Sequence, residues 1–246
     1  MSRKVLICVP TYNESENILE ILLRLNDAIN IINLKPENFA FTILVVDDNS
    51  PDGTANLVAS KNISNVVIMR RPMKTGLGPA YLAAFTWGIE REFDIFIECD
   101  ADGSHQPEEL PAMMAALSGS DLVIGTRWMP GGRVVNWPLH RRLVSRIGTK
   151  YAQVVLRLPY RDLTGGFRVL SRHCLETINF ASIESLGYGF QIEIAMRAHD
   201  AGLAIAQVPI TFIERTHGAS KMSRRIVLEA LIKTTKWALG RITNAR

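Results

Sequence analysis

Two carboxylates one residue apart, Asp100 and Asp102, follow the apolar run Phe93 to Glu98. At the end of a strand such a pair can turn to one hard cation, which takes oxygen ligands and keeps water and substrate phosphate around it. Two acids left together in a cleft are unfavourable without a counter-charge. The same residues also make a turn with helix-capping acids ahead of Pro107-Glu108-Glu109, and the spacing alone leaves both readings open. A second acidic pair, Asp47-Asp48, ends the run Phe41 to Val46 and leads into Asn49-Ser50-Pro51-Asp52-Gly53-Thr54, a tight turn entering a helix. A carboxylate there can accept hydrogen bonds from ligand N–H groups, as a guanine or uracil edge presents. Pro10-Thr11-Tyr12-Asn13-Glu14 ends a third run, Val5 to Val9. Tyr12 can stack on a base there and Glu14 can bind a ribose, while Pro10, Thr11 and Asn13 are also ordinary turn and cap residues.

The elements that carry these residues follow from periodicity. Val5 to Val9, Phe41 to Val46, Val66 to Met69, Phe93 to Glu98 and Asp121 to Gly125 are short apolar runs that read as buried parallel strands. Between them, Glu16 to Asn30 sets Ile18, Ile21, Leu22, Leu25 and Ile29 at helical spacing, Asp52 to Ser60 starts a helix, and a Gly-Leu-Gly turn enters another over Ala80 to Glu92. This alternation specifies an α/β fold with an open, mainly parallel sheet flanked by helices. Ligands of such sheets bind at the carboxyl ends of the strands, where the acids stand. Further on, Met129 to Pro138 reads as a loop, Leu139 to Leu158 as a basic amphipathic helix, and Phe167 to Leu170 as a strand. Glu176 to Asn179 begins a short helical or loop region, Phe190 to Ala201 is a helix, Ala204 to Phe212 a final strand and Ile226 to Leu239 an amphipathic helix. One domain over 1–246 is expected, with a basic C-terminal half.

Lys and Arg number 28 against 24 Asp and Glu, a net charge of +4. The excess is local: Arg127 to Arg172 holds ten basic residues and one acid, Asp162, a net of +9. A second basic run spans Arg224 to Arg246. Such clustering predicts an anionic partner: nucleic acid, a phosphorylated ligand or lipid headgroups. With 47% hydrophobic and 21% charged residues the chain reads as globular, and no stretch approaches the ~20 apolar residues of a spanning helix. No signal peptide is evident, and Cys8, Cys99 and Cys174 read as buried small hydrophobes rather than ligands or disulfides. No Walker or Gly-x-Gly-x-x-Gly motif is present, and the basic block lacks a helix-turn-helix, a zinc module or a stacking-aromatic series, which speaks against nucleic acid.

The segments VPTYNE, VVDDNSPDGT, KTGLGPAY, DADGSHQPEEL, GTRWMPGG, NWPLHRRLVS, DLTGGFR, GYGFQIE and PITFIERTHGASKMS, in this order, resemble the inverting GT-A glycosyltransferases of family 2 that make polyprenyl-phosphate mannose. The actinobacterial catalytic domains, counterparts of the dolichol-phosphate mannose synthases, are the nearest type, and the resemblance runs from about Lys4 to Gly240. The first segments mark a broad glycosyltransferase class; NWP, GGFR and ERxxGxSKM make the match specific.

The resemblance implies a GDP-mannose donor and a polyprenyl monophosphate acceptor, with 1–125 as the nucleotide-sugar-binding half and 126–246 as the acceptor-binding half. Guanosine contacts fall on Pro10, Tyr12, Glu14, Val46 and Asp48. Mg²⁺ or Mn²⁺ and the diphosphate fall on Asp100, Ala101 and Asp102, with Arg127, Arg215 and Lys221 closing on phosphates, and Asp102 and Arg127 as the catalytic pair. Archaeal and eukaryotic members commonly carry Gln where this chain has Ser104, whose shorter hydroxyl leaves room for water as a third ligand. Acceptor-phosphate contacts fall on Arg141, Ser145 and Arg146, with Asp162, Gln191 and Glu193 organising that side; an ion pair with a neighbouring arginine is the plainer account of each acid. Many members carry spanning helices or a membrane subunit. Without them, this chain is expected as a cytoplasmic protein peripheral on the inner face of the cell membrane, recruited by its two basic amphipathic helices or by a membrane-protein subunit.

A phosphate monoester is mostly dianionic at neutral pH, with a second pKa of about 6, so the acceptor is its own nucleophile and no general base is expected. His105, the nearest candidate base, reads as structural. Gly218-Ala219-Ser220 beside Lys221 suggests a loop that closes over donor phosphates. Competing functions are a polyprenyl-phosphate glucosyltransferase using a UDP-sugar and a nucleotide-sugar-binding protein without turnover.

Overall fold

The computed structural model describes residues 2–35, 37–215 and 224–243. The chain opens with β1 (Arg3–Thr11), α1 (Ile18–Asn33), β2 (Phe39–Asp47), α2 (Thr54–Ser60), β3 (Val66–Arg70), α3 (Leu77–Glu90) and β4 (Ile95–Glu98). There follow α4 (Leu110–Ala116), β5 (Leu122–Thr126), β6 (Arg133–Val135), α5 (Leu139–Leu156), β7 (Arg168–Ser171) and α6 (Arg172–Thr177). The last elements are α7 (Tyr188–Asp200), β8 (Ile205–Pro209), β9 (Thr211–Ile213) and α8 (Arg224–Thr243).

Seven strands form one sheet in the order β3-β2-β1-β4-β7-β5-β8, parallel except for β7, which runs antiparallel to both neighbours. The apolar runs are continuous because both faces are covered. Val5, Ile7, Val9, Ile43 and Val45 pack with Leu22 and Leu25 of α1 and Met113 of α4. Leu6, Cys8, Leu44, Val46 and Phe96 pack with Tyr81 and Phe85 of α3 and Phe190 of α7. Each fully buried side chain of this size contributes about 1.5–3 kcal/mol. Tyr81 stacks on Phe190 at 6.0 Å, and Phe85 meets Phe96 edge-on at 5.8 Å. The three cysteines are buried, and burial pushes their thiols up.

The structure departs from the sequence reading in four places. The stretch Met129 to Pro138 is not all loop, since it contains β6. The single strand expected over Ala204 to Phe212 is two. Ile210 donates its N–H to Thr126 of the main sheet and accepts from Arg133 of β6, so the chain changes sheets at that residue and β9 pairs with β6. The helix α4 was not foreseen, and α6 begins at Arg172, where Ser171 caps it by accepting from the Cys174 N–H.

Amphipathic helices at α5 and α8 are present, and their exposed faces carry large apolar side chains beside basic ones such as Arg146, Lys150 and Lys236. Leu139, Leu143, Ile147 and Val154 stand exposed along α5, and Leu228, Ile232 and Leu239 along α8. Nine of the sixteen exposed large hydrophobic side chains among the described residues lie on these two helices. They pack side by side, with the Tyr151 hydroxyl 2.7 Å from that of Thr235.

Candidate active site

The strands β2, β1 and β4 are adjacent and parallel, so the loops that leave their carboxyl ends share one edge. The two acids after β2 divide the work. Asp47 accepts from the Thr11 hydroxyl (3.0 Å), the Ser50 hydroxyl (2.6 Å) and the Ser50 N–H (3.0 Å), and so organises the loops. Asp52 accepts the N–H of Thr54 at the start of α2 (3.0 Å) and that of Ser15 (2.9 Å), which ties the Tyr12 loop to the Asp47 loop. Asp48 faces the cleft instead.

A cleft of about 540 Å³ runs along this edge. Pro10, Tyr12, Glu14, Asp48, Asp100, Ala101, Asp102, Ser104, Arg127, Arg141 and Arg215 all border it, so most of the expected donor residues meet there. Val46 does not; its side chain is fully buried in the core, and its carbonyl accepts the Thr11 hydroxyl at 3.4 Å. Lys221 and the 216–223 segment lie outside the described residues.

Two cations that the sequence reading missed sit at the end of the cleft formed by Tyr12 and Asp48. Arg71 donates to Asp48 Oδ1 at 2.7 Å, and Lys74 lies 4.0 Å from the centre of the Tyr12 ring. Burial pushes the Asp48 carboxyl above its ordinary value against the pull of Arg71. The KTGLG segment holds that end in place. Gly78 lies so close to the chain that a Cβ there would meet the Ser185 carbonyl at 2.4 Å.

At the centre, Tyr81 donates its hydroxyl to Asp100 Oδ1 (3.2 Å), and the Asp100 N–H donates to His105 Nδ1 (3.0 Å). That bond leaves the imidazole proton on Nε2, 4.0 Å from Asp100 Oδ2. His105 is buried and stacked on Phe167 at 5.1 Å, so it orients the acidic turn, as expected of a structural histidine. Gly103, with φ +75°, turns the chain so that the Ser104 N–H reaches Asp102 Oδ1 at 3.0 Å. Arg215 pairs with Asp102 Oδ2 at 2.8 Å. Burial would raise the Asp102 carboxyl, but Arg215 and the Ser104 hydrogen bonding outweigh it and hold the group below the usual carboxylate range.

A divalent cation is compatible with this floor. Asp100 and Asp102 are hard oxygen donors on the cleft wall, and the buried Ser104 hydroxyl beside them has no hydrogen-bond partner. Among the described residues no three His, Cys, Asp or Glu side chains cluster as a closed metal cage. An ion there would take its remaining ligands from substrate phosphate and water, as Mg²⁺ commonly does.

Farther along the cleft, Arg127 is committed to Asp162. Its Nε and Nη2 donate to the two carboxylate oxygens at 2.7 and 2.8 Å, and its backbone N–H donates at 3.1 Å. Both residues are buried, and the pairing holds the Asp162 carboxyl below its ordinary value despite desolvation. Asp162 is therefore paired with an arginine, and so is Glu193, with Arg197 at 2.5 Å. Gln191 borders the cleft and donates to the fully buried Glu98 at 2.8 Å; burial pushes that carboxyl up to about 7. Arg168 of GGFR is structural: it donates to the carbonyls of Gly165, Gln191 and Leu163 at 3.0, 2.7 and 3.2 Å.

Arg141 is paired with Glu214, and its guanidinium lies 5.0 Å from the Trp137 ring. Arg146 lies over Trp128 at 5.0 Å and borders neither cavity described here. Ser145 opens instead onto a narrow apolar slot of about 70 Å³, walled by Val144, Gly148 and Tyr151 of α5, Ile192 of α7, and Val227 and Leu231 of α8. Arg127, Trp137, Arg141, Thr164 and Tyr188 border both the slot and the cleft, so the two meet at one wall.

A nucleotide-binding edge with a paired-acid turn, flanked by a basic second half, defines a nucleotide-sugar glycosyltransferase of GT-A architecture. Residues 6–178 match the family described as Glycosyl transferase family 2, and the chain belongs to that family. It is 45% identical over 239 residues to the undecaprenyl-phosphate mannosyltransferase of Micrococcus luteus, covering 96% of this chain and 95% of that protein. It is 42% identical over 250 residues to the polyprenol monophosphomannose synthase of Mycolicibacterium smegmatis (100% and 91% covered). The dolichol-phosphate mannosyltransferase of Pyrococcus furiosus is 32% identical (95% and 64% covered). Among solved structures, glucosyl-3-phosphoglycerate synthase from Mycobacterium tuberculosis with UDP superposes with a TM-score of 0.66 at 20% identity, covering 97% of this chain and 80% of that one. The same enzyme solved with Mn²⁺ and UDP superposes at 0.63 and 19% identity, over 99% and 79%. Among the described residues no helix is long and apolar enough to cross a membrane.

Proposed function

We propose that this chain transfers mannose from GDP-mannose to a polyprenyl monophosphate with inversion, giving polyprenyl-phosphate β-mannose and GDP. The observation that carries the reading is the shared wall: a cleft that bears carboxylates for a metal and a nucleotide meets an apolar slot at Arg127 and Arg141. An acceptor with a charged head and a hydrocarbon tail fits that junction, and a soluble sugar acceptor has no use for the slot. The mannosyltransferase relatives supply the sugar and the class of lipid.

In this reading Tyr12, Glu14 and Asp48 hold the nucleoside, Asp48 accepting from the guanine N–H edge beside Arg71. Asp100 and Asp102, with Ser104 at hand, would hold Mg²⁺ or Mn²⁺. Such an ion screens the diphosphate and stabilises it as a leaving group. Arg215 borders the same region and adds positive charge where charge develops. Arg141 and Ser145 receive the acceptor phosphate, whose dianion attacks without a protein base. Arg127, locked by Asp162, contributes a fixed charge to the same wall rather than a mobile ligand.

The exposed apolar faces of α5 and α8 flank the slot, so the acceptor can enter sideways from a bilayer on which these helices rest. The protein is then peripheral on the cytoplasmic face of the membrane, held there by these helices or with a membrane-protein subunit. The test is a transfer assay with labelled GDP-mannose or UDP-glucose, a polyprenyl phosphate, and Mg²⁺ or Mn²⁺, followed by extraction of lipid. Lipid-linked mannose is expected; product from UDP-glucose alone overturns the donor assignment, and no lipid product from either overturns the reading.

A further inference from the structure

We propose that the indole N–H of Trp137 donates a hydrogen bond to the acceptor's phosphate, so that this residue positions the nucleophile beside Arg141 and Ser145; the proposal rests on the acceptor reading above. Trp137 stands on the wall shared by the cleft and the slot. Two guanidiniums lie over its ring, with Arg127 at 5.4 Å and Arg141 at 5.0 Å from the ring centre, and Phe212 braces it at 5.1 Å. The backbone fixes it from both sides. Asn136 adopts the left-handed conformation (φ 58°), and Pro138 caps the start of α5.

The Trp137 Nε1 is buried and has no hydrogen-bond partner. The same holds for Arg141 Nε and Ser145 Oγ, one helical turn apart on α5. A buried donor without an acceptor carries a desolvation penalty, and three such groups in one corner are rare in a folded protein. A phosphate monoester offers three terminal oxygens that act only as acceptors when ionised, which matches this set of donors. The N-terminus of the 18-residue α5 beside Trp137 favours the same charge. A purely steric role for the indole, as a packing surface for the two guanidiniums, needs the ring but not the N–H.

Trp137→Phe keeps the ring and removes the donor. The expected result is a rise of about tenfold in the acceptor KM, the factor set by one ordinary net hydrogen bond, with the GDP-mannose KM and thermal midpoint unchanged. A second readout needs no turnover. The chain has four tryptophans, so ¹⁵N-indole spectra contain four side-chain N–H signals, and the one lost in Trp137→Phe is that of Trp137. It should move downfield when farnesyl phosphate is added and stay in place with farnesol. An unmoved signal together with an unchanged acceptor KM overturns the proposal. If the wild type transfers no sugar to any prenyl phosphate, the acceptor reading falls, and the indole spectra still decide the contact.

Discussion

The guanidinium of Arg215 lies 2.8 Å from Asp102 Oδ2, on one of the two carboxylates assigned to the divalent cation. One carboxylate oxygen cannot serve both cations at full strength. Removing the arginine charge should therefore strengthen metal binding in the absence of nucleotide. Titration of Arg215→Gln with Mn²⁺, followed by calorimetry, is expected to show tighter binding than the wild type, while GDP affinity falls. Equal Mn²⁺ affinity in the two proteins would remove the competition.

Asp162 is the buried partner of Arg127, and its folded pKa lies below the ordinary value near 3.8. The stability it contributes is present above that value and is lost as pH falls through the lowered folded pKa. Acid unfolding of the wild type should steepen below pH ~4, where the unfolded chain takes up the proton first. Asp162→Asn leaves Arg127 buried without its counter-charge and should cost about 3–5 kcal/mol at neutral pH. Urea titrations at pH 7 and pH 3 check both points: the gap between wild type and variant must narrow in acid.

Gly78→Ala sets a methyl group 2.4 Å from the Ser185 carbonyl, which is main chain and cannot rotate aside. Overpacking of this kind costs about 1–3 kcal/mol. Because the contact joins α3 to the segment ahead of α7, the variant should also bind GDP more weakly. A variant with wild-type stability and wild-type GDP affinity would contradict the close packing.

Leu143→Glu combined with Ile147→Glu places two charges on the exposed apolar face of α5, where the wild-type side chains are each 58% exposed. Neither residue borders the cleft or the slot, so transfer to a water-soluble short-chain prenyl phosphate should persist. Flotation with vesicles containing anionic lipid should fall sharply. Undiminished flotation would show that another surface carries the protein to the membrane.

Much of this was legible from residue types. The order of strands and helices through β4 follows from apolar runs broken by Asp, Asn and Gly, because both sheet faces are buried and each run ends where the cleft begins. The paired acids and the basic second half also announce themselves. What could not be read is how charges partner across the chain. The pairing of Arg127 with Asp162 spans 35 residues and that of Arg141 with Glu214 spans 73, so no local spacing signals either. Arg71 and Lys74 escaped notice because lysines and arginines in loops are ordinary; only their placement over Asp48 and Tyr12 gives them meaning. Helical periodicity marks α5 as two-faced without saying which side chains are covered, and the exposed face mixes Leu143 and Ile147 with Arg146 and Lys150. Pro209 and Ile210 sit inside an apparently single strand, and only the hydrogen-bond partners of Ile210 reveal the change of sheet.

In the proposed reaction, that change of sheet delivers two consecutive residues to opposite substrates: Glu214 pairs with Arg141, proposed for the acceptor, and Arg215 pairs with Asp102, proposed for the donor. One peptide bond thus links the two restraints, so drawing Arg215 toward a diphosphate strains the grip of its neighbour on Arg141. The expected consequence is temporal: the sugar nucleotide binds first and the lipid second, and initial-rate patterns should show a compulsory order rather than a random one.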